Sequence, residues 1–152
     1  MPVARRATED DLPQLLSLFE ASEVSAAAGE PEPIWQAMLN HPGLSIFVAC
    51  ADGAIVATAT LISAPNLLRG GRGHGFLENV MTHPDYQGRG FGKAVVSAAL
   101  SSAWQAGCHH VLLQSGRADP RVHKFYRSLG FEPGVREAYV AHAPIDERQE
   151  WP

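Results

Sequence analysis

A glycine-rich segment, residues 87–93 (QGRGFGK), constrains the fold more than any other feature of the chain. The apolar residues 76–81 before it are typical of a buried strand, and the apolar residues between 94 and 106 recur at helical spacing. A glycine turn that leads from a strand into a helix places several backbone N–H groups around one point, at the positive end of the helix dipole. The sequence therefore predicts an α/β protein with an anion site, most naturally for phosphate, at this turn.

The glycine spacing excludes the two commonest phosphate-binding motifs. A P-loop requires a glycine where this chain has Gln87, and a serine or threonine where it has Ala94. A dinucleotide fingerprint requires glycine at the first, third and sixth positions, and counting from either Gly88 or Gly90 the sixth residue is not glycine. The turn must therefore serve another class of phosphorylated ligand.

Two motifs resemble the GNAT superfamily of acyl-CoA-dependent N-acyltransferases. Gln87, Gly90 and Gly92 form the pattern Gln/Arg-x-x-Gly-x-Gly/Ala directly after LENVMTHPDY at residues 77–86, and residues 125–131 read FYRSLGF. These resemble the family's pyrophosphate-binding motif and its Phe-Tyr-x-x-x-Gly-Phe motif, and the resemblance covers nearly the whole chain. It implies an α/β (α+β) GNAT fold, with a mixed central sheet of about seven strands and about four helices, splayed between strands 4 and 5.

The apolar pattern predicts the element order β-α-α-β-β-β-α-β-α-β-β. An Asp-Gly turn signal predicts a hairpin between strands at 46–50 and 55–62, and residues 65–75 are expected to form a loop. Residues 111–114 are the expected fifth strand, with CHH at 108–110 in the turn before it, and residues 131 and 137–142 are the last two strands. The helix after the glycine turn is expected to bury one face, formed by Val95, Val96, Ala99, Leu100, Ala103 and Trp104.

Length and composition indicate one soluble domain over residues 1–152, with a loosely ordered polar tail at 143–152. The net charge of −4 argues against a general nucleic-acid or anionic-membrane binder. No run of residues has the length of an apolar membrane span, and residues 1–20 lack the apolar core of a signal peptide. Cys50 and Cys108 lie far apart without CxxC spacing, which suggests a reducing cytosol. A cytoplasmic protein is therefore expected.

The resemblance implies acetyl-CoA as donor substrate and assigns the residues that hold it. The strand before the glycine turn would contact the acetyl group and pantetheine through the backbone of Val80, Met81 and Thr82. The pyrophosphate would be held by Gln87, Gly88, Arg89, Gly90, Phe91, Gly92 and Lys93. For Lys93 a solvated side chain is an equal alternative, whereas pairing with a phosphate would explain a cation at a helix start.

Tyr126 is the candidate general acid. In the family a tyrosine at this place in the Phe-Tyr motif lies near the sulfur of CoA, and a phenol with a pKa near 10 can protonate a leaving thiolate. The alternative is an aromatic residue that packs beside Val122, Phe125 and Leu129, since helical spacing suits both interpretations.

Glu78 is the candidate base. A carboxylate in the otherwise apolar run FLENV is unexpected unless it is paired or faces a cleft. Glu-Asn-Val at this place resembles members of the family that act on small amines and amino sugars, where the glutamate relays a proton through water. The alternative is a structural carboxylate bonded to a neighbouring strand or loop.

Two residues depart from the commonest family pattern. Gln114 stands where many members have a glutamate, and an amide cannot serve as a base. Catalysis must then rely on Glu78, on ordered water, or on an acceptor amine that arrives neutral. Asp119 stands where many members have an asparagine that contacts pantetheine. Aspartate caps a helix as well as asparagine does, but it lacks the amide donor, which weakens the implied contact.

Three functions remain open on the sequence. An N-acetyltransferase that acts on a small-molecule primary amine by direct attack is favoured, since no cysteine or serine lies in a recognisable nucleophile motif. The others are a non-catalytic acetyl-CoA sensor and an unrelated nucleotide-phosphate binder. No metal site is expected, because Cys108-His109-His110 lacks the spacing and further ligands of a zinc site. A homodimer could form if the strand at 137–142 lies at a sheet edge.

Overall fold

The structure is a computed structural model that describes residues 1–24 and 29–144. Part of the polar tail expected at 143–152 lies outside these residues. The described elements, in chain order, are β1 (Ala4–Arg6), α1 (Leu12–Ala21), α2 (Pro31–Asn40), β2 (Leu44–Ala51), β3 (Ala54–Ala64), β4 (Gly73–Thr82), α3 (Phe91–Gln105), β5 (Cys108–Leu113) and α4 (Pro120–Ser128). Across these residues, each helix is too short or too polar to cross a membrane.

The chain divides into two compact units, Met1–Ser115 and Gly116–Pro152, and each is described by itself. The first contains a sheet in the order β1-β2-β3-β4-β5. Neighbouring strands are antiparallel except β4 and β5, which are parallel. The predicted mixed α/β class is confirmed, whereas the prediction of one domain over the whole chain stays a prediction.

The last two predicted strands are not formed, so the described residues contain five strands instead of about seven. Tyr139 and Val140 are 85% and 67% exposed, so the apolar run at 138–141 is not buried against the sheet. A strand whose apolar side is left in water gains little from forming. The argument for a dimer through this segment is therefore lost, and a homodimer stays an untested prediction.

The hairpin predicted from the Asp-Gly signal is confirmed. β2 ends at Ala51 and β3 begins at Ala54. Asp52 and Gly53 both have positive φ, 53° and 78°, which matches the twist of the two strands. The long β3 is buried along most of its length, so it forms the centre of the sheet.

Helices cover both faces of the sheet. On one face, α1 and α2 pack against alternate residues of β2 and the start of β3, in a cluster formed by Leu12, Leu15, Leu18, Trp35, Ile46, Val48 and Ile55. Phe47 points to the other face, where Arg6 covers its ring and donates to Ser102 of α3. On α3 the predicted apolar face is buried at Val95, Val96, Ala99 and Ala103, but Trp104 is 52% exposed, so its inclusion was wrong.

β4 and β5 both begin earlier than predicted. β4 starts at Gly73, inside the expected loop, and β5 starts at Cys108, inside the expected turn. The two glycines at the start of β4 allow close approach of neighbouring backbone. A Cβ at Gly73 would lie 2.7 Å from the Ala64 carbonyl oxygen, and one at Gly75 would lie 3.2 Å from that of His110. Glycine here marks tight strand packing instead of a loop.

An ion pair connects β1 to the start of α1. The Arg5 guanidinium donates to both carboxylate oxygens of Asp11, at 2.7 and 2.9 Å, and the Thr8 amide donates to the same carboxylate at 2.7 Å. These bonds, chiefly those from Arg5, lower the pKa of Asp11 although burial opposes the shift. Asp11 is buried, so this pair is shielded from water better than an ordinary surface pair.

Candidate donor-binding and catalytic site

The glycine turn has backbone angles that side-chain-bearing residues rarely adopt. Gly88 and Gly90 have φ of 74° and 90°, in the left-handed region. Gly90 is the N-cap residue of α3, which begins at Phe91. The turn therefore needs glycine for its angles, since a Cβ at Gly88 would meet no atom within 4 Å.

Backbone N–H groups converge at the start of α3. The Ala94 amide donates to the Gly90 carbonyl at 3.0 Å and makes the first bond of the helix. The amides of Phe91, Gly92 and Lys93 precede it and have no acceptor within the helix. With no acidic residue in the first turn of α3, the dipole of this 15-residue helix adds to the positive potential at these amides. The arrangement suits a phosphate or pyrophosphate.

Arg89 adds a full positive charge beside these amides. Its guanidinium lies 4.8 Å from the ring centroid of Tyr86 and 5.8 Å from that of Phe91. The Tyr86 hydroxyl donates to Asp52 at 2.7 Å, which fixes the ring on which Arg89 rests. The exposed Lys93 lies on the first turn of α3. Two cations thus stand next to the turn, as a diphosphate group would require.

β4 separates from β5 just before this turn. The parallel pairing of the two strands ends at Leu77 and Leu113, while β4 continues to Thr82. Over 78–82, β4 pairs only with β3 among the described residues. The far side of this segment therefore offers strand N–H and C=O groups to an extended ligand. This separation is the splay that the family resemblance implied.

A β-bulge changes the direction of β4 at the point where it separates from β5. Thr58 pairs with Met81 and Thr60 pairs with Glu78, so two residues of β4 stand opposite one of β3. Asn79 takes the strained position, with φ of 52°. Asparagine tolerates the left-handed region better than most residues, and this was the one local signal that the sequence offered for the bulge.

Glu78 is exposed on the face of β4 opposite the buried Leu77. In residues 1–24 and 29–144 no ion pair reaches its carboxylate. The structure thus gives no support to a carboxylate paired with a neighbouring strand, and Glu78 stands next to the bulge at the edge of the separated strands. Its role as base stays a prediction.

Comparison with known proteins decides the family. The model of the Acetyltransferase (GNAT) family matches residues 12–131. The chain belongs to the GNAT acetyltransferase family. It is thus an acetyl-transferring enzyme, and the family implies acyl-CoA as its co-substrate.

Similar proteins include GNAT enzymes with named acceptors. A glucosamine 6-phosphate N-acetyltransferase of Trypanosoma brucei brucei is 35% identical over 102 residues, 66% of this chain and 67% of the relative. Aminoglycoside N(6')-acetyltransferase type 1 of Stenotrophomonas maltophilia is 32% identical over 111 residues, 71% and 72% of the two chains. A structure from Agrobacterium tumefaciens strain C58 that carries an acetyltransferase assignment is 42% identical, with a TM-score of 0.82 over 91% of this chain and 99% of its own.

The second GNAT motif, residues 125–131, forms the last turn of α4 and the cap that follows it. Tyr126 is half-buried, and its ring contacts Phe125 and Phe131 at centroid distances of 5.0 and 5.7 Å. Gly130 follows the helix with φ of 92°, and the Phe131 amide donates to the Tyr126 carbonyl at 3.1 Å. The spacing Phe-Tyr-x-x-x-Gly-Phe thus encodes a helix end that holds Tyr126 between two aromatic rings.

Burial raises the pKa of Tyr126 above its ordinary value, while the nearby charge of Arg117 opposes this. The phenol is therefore protonated throughout the neutral range, as a general acid must be. The aromatic contacts equally satisfy the packing interpretation, so the catalytic role of Tyr126 in this GNAT chain stays a prediction.

Asp119 is engaged as a helix cap. Its carboxylate accepts from the Arg121 amide at 2.9 Å and from the Arg121 guanidinium at 2.8 Å. These bonds, first those from the Arg121 side chain, lower the pKa of Asp119. The predicted capping role is confirmed, whereas the pantetheine contact that the GNAT resemblance implied is untested.

Proposed function

We propose that this protein transfers the acetyl group of acetyl-CoA to a primary amine of a small molecule, by direct attack in a ternary complex. One observation carries the proposal: β4 leaves β5 after Leu77, and the freed strand leads directly into a turn of unbonded helix amides. A ligand with an extended amide-containing arm and a pyrophosphate fits both features at once, and acetyl-CoA has both. An isolated phosphate site would need only the turn.

The donor is held mainly by backbone groups. The backbone of Val80, Met81 and Thr82 bonds the pantetheine amides and the acetyl carbonyl, in the manner of an added strand. The pyrophosphate accepts hydrogen bonds from the backbone amides of the turn and from the side chains of Arg89 and Lys93. The complete pyrophosphate-binding segment is Gln87, Gly88, Arg89, Gly90, Phe91, Gly92 and Lys93. Asp119 contributes to donor binding by capping the start of α4, since its carboxylate cannot donate a hydrogen bond to pantetheine.

The reaction requires little further chemistry from the protein. The neutral amine attacks the thioester carbonyl carbon, and a C–N bond forms as the carbonyl electrons move to oxygen. When the carbonyl re-forms, the C–S bond breaks and the thiolate takes a proton from the Tyr126 hydroxyl. The proton lost by the amine passes to Glu78, directly or through water. Positioning and these two proton transfers account for the catalysis.

The acceptor class is an amino sugar. The support is twofold: Glu-Asn-Val at 78–80, and relatives that are named for glucosamine 6-phosphate and aminoglycoside acetylation. Both of these acceptors are amino sugars that carry a primary amine. We therefore expect turnover with amino sugars and little with peptide N-termini of similar amine pKa.

The first test is thermal unfolding with acetyl-CoA, with ATP as control. A ligand at about 100 times its Kd raises Tm by roughly 5–10 °C in a domain of this size. Release of free CoA thiol is then measured with glucosamine, glucosamine 6-phosphate, an aminoglycoside and an alanine-terminated peptide. A Tm rise with acetyl-CoA and thiol release with an amino sugar support the proposal. No Tm rise, or a larger one with ATP, overturns the donor site.

A second candidate is a non-catalytic acetyl-CoA sensor. It is favoured by Gln114, which removes the base that many family members have after the fifth strand, and by the commitment of Asp119 to Arg121. The same two assays separate the candidates. A Tm rise with acetyl-CoA and no thiol release from any amine would identify a sensor.

A further inference from the structure

Three histidines lie together on two adjacent strands, away from the glycine turn. His74 is on β4, and His109 and His110 are on β5. One ring nitrogen from each of the three side chains lies within 4.8 Å of the others. The His74 ring centroid is 5.4 Å from that of His109 and 5.6 Å from that of His110, and all three side chains are partly buried.

An irregular register brings two consecutive histidines to one place. Gly73 pairs with Cys108 and His74 pairs with His110, so His109 is an extra residue on β5. In a regular strand, neighbours such as His109 and His110 point to opposite faces. The extra residue breaks this alternation, and the two ring centroids lie only 3.8 Å apart.

We propose that His74, His109 and His110 bind a zinc ion. Imidazole nitrogen suits Zn²⁺, and three protein ligands with one open position for water form a known zinc arrangement. At a Zn–N distance of about 2.0–2.1 Å, tetrahedral ligand nitrogens lie about 3.3 Å apart. Rotation of the histidine side chains must therefore bring these nitrogens closer by at most about 1.5 Å, within the reach of ordinary side-chain torsions.

The zinc site is separate from the proposed acyl-transfer site. His74 precedes Glu78 by four residues, or about 13 Å along an extended strand. It lies where β4 and β5 are paired, whereas the donor binds where they have parted. The ion would clamp the closed end of the splayed pair, so its binding stabilises the fold and supplies no group to the reaction.

The test is isothermal titration of metal-free protein, without a histidine tag, with Zn²⁺. We expect one ion per chain, and a rise in Tm of roughly 5–10 °C at about 100 times the Kd. Mg²⁺ prefers oxygen ligands and should give neither effect. His74→Ala should weaken zinc binding by more than the about 10–100-fold that loss of an outer-shell partner costs. The exposed His142 provides the control, and His142→Ala should bind zinc like the parent.

A spectroscopic measurement covers the case in which a histidine variant does not fold. Co²⁺ bound to the parent protein should give the strong visible bands of a tetrahedral nitrogen site, and one equivalent of Zn²⁺ should abolish them. The proposal is overturned if Zn²⁺ does not saturate at one equivalent, or if bound Co²⁺ shows only weak octahedral bands. It is also overturned if folded His74→Ala and His110→Ala proteins keep the parent affinity, because the rings would then only pack together.

Discussion

The packing of Tyr126 and its proposed catalytic role depend on different atoms of the same side chain. Two aromatic rings hold its own ring, and the burial that they provide raises its pKa. Packing alone would be satisfied equally by phenylalanine, whereas proton donation requires the hydroxyl. The hydroxyl oxygen is therefore the only atom that the proposed catalytic role needs and packing does not.

Replacement of Tyr126 by phenylalanine should lower kcat by ~10²-fold, the usual contribution of a general acid, with little change in the Kd for CoA. Because the pKa of Tyr126 lies above its ordinary value of 10.0, the phenol stays protonated and the parent rate should not fall through loss of this proton below that pH. Steady-state kinetics from pH 7 to 10 measure both. Tyr139→Phe is the matched control, since Tyr139 is 85% exposed. An unchanged kcat in Tyr126→Phe would remove the catalytic role.

Glu78 is the proposed acceptor of the proton that the amine loses. Glu78→Gln removes this acceptor and keeps the size of the side chain, so kcat should fall by ~10²-fold with little change in the Kd for CoA. Steady-state kinetics with an amino sugar and titration calorimetry with CoA measure the two quantities. Glu20→Gln, an exposed substitution on α1, should behave like the parent. If kcat in Glu78→Gln equals that of the parent, Glu78 is not the proton acceptor.

At the scale of elements, the two ends of α3 allow the conformational need for glycine to be distinguished from its effect on ligand binding. Gly90 and Gly107 flank α3 at its two ends, with φ of 90° and 80°. A Cβ at Gly107 would meet no atom within 4 Å, and one at Gly90 would make an ordinary 3.5 Å contact with Pro2. Alanine at either position therefore imposes the same backbone strain, but only Gly90 adjoins the amides that are proposed to bind the pyrophosphate.

Gly90→Ala and Gly107→Ala should each destabilise the fold by about 1–2 kcal/mol, the usual strain of an L-residue in the left-handed region. Only Gly90→Ala should also weaken CoA binding, by about ten- to a hundredfold, because one hydrogen bond to a charged group contributes about 1.5–3 kcal/mol. Urea unfolding and titration calorimetry separate the two effects. Equal Kd values in the two variants would show that Gly90 serves the turn and not the ligand.

The element ends that were predicted correctly from the sequence are marked by capping or turn residues at those positions. Asp119-Pro120 and Gly130 bracket α4, Gly107 follows α3, and Asp52-Gly53 turns the hairpin, because each acts through its own backbone. The starts of β4 and β5 were missed, since Gly73 and Gly75 read as loop residues. Their purpose is close approach to residues far away in sequence, which no local pattern expresses.

At the scale of the whole molecule, register was beyond the reach of the sequence. The bulge at Asn79 and the extra residue His109 both depend on which residues the neighbouring strand places opposite them. The first places Glu78 where β4 has separated from β5, next to the proposed donor site, and the second brings the three histidines together. Motif resemblance gave the fold class and the proposed location of the donor site, whereas these two irregularities decide which side chains meet.

The Arg5–Asp11 pair should control the acid stability of the whole chain. The pKa of Asp11 is lowered in the folded protein, so the pair contributes fully above the ordinary value of 3.8, and its contribution is lost as pH falls through the lowered value. Asp11→Asn keeps an acceptor for the Thr8 amide but removes the charge. Since Arg5 is half-exposed, we expect a loss of about 1–2 kcal/mol at pH 7. That loss should shrink toward zero well below pH 3.8, as urea unfolding at several pH values would show. A destabilisation that is the same at every pH would mean that Asp11 acts through packing and its bond to Thr8, and that its charge contributes nothing.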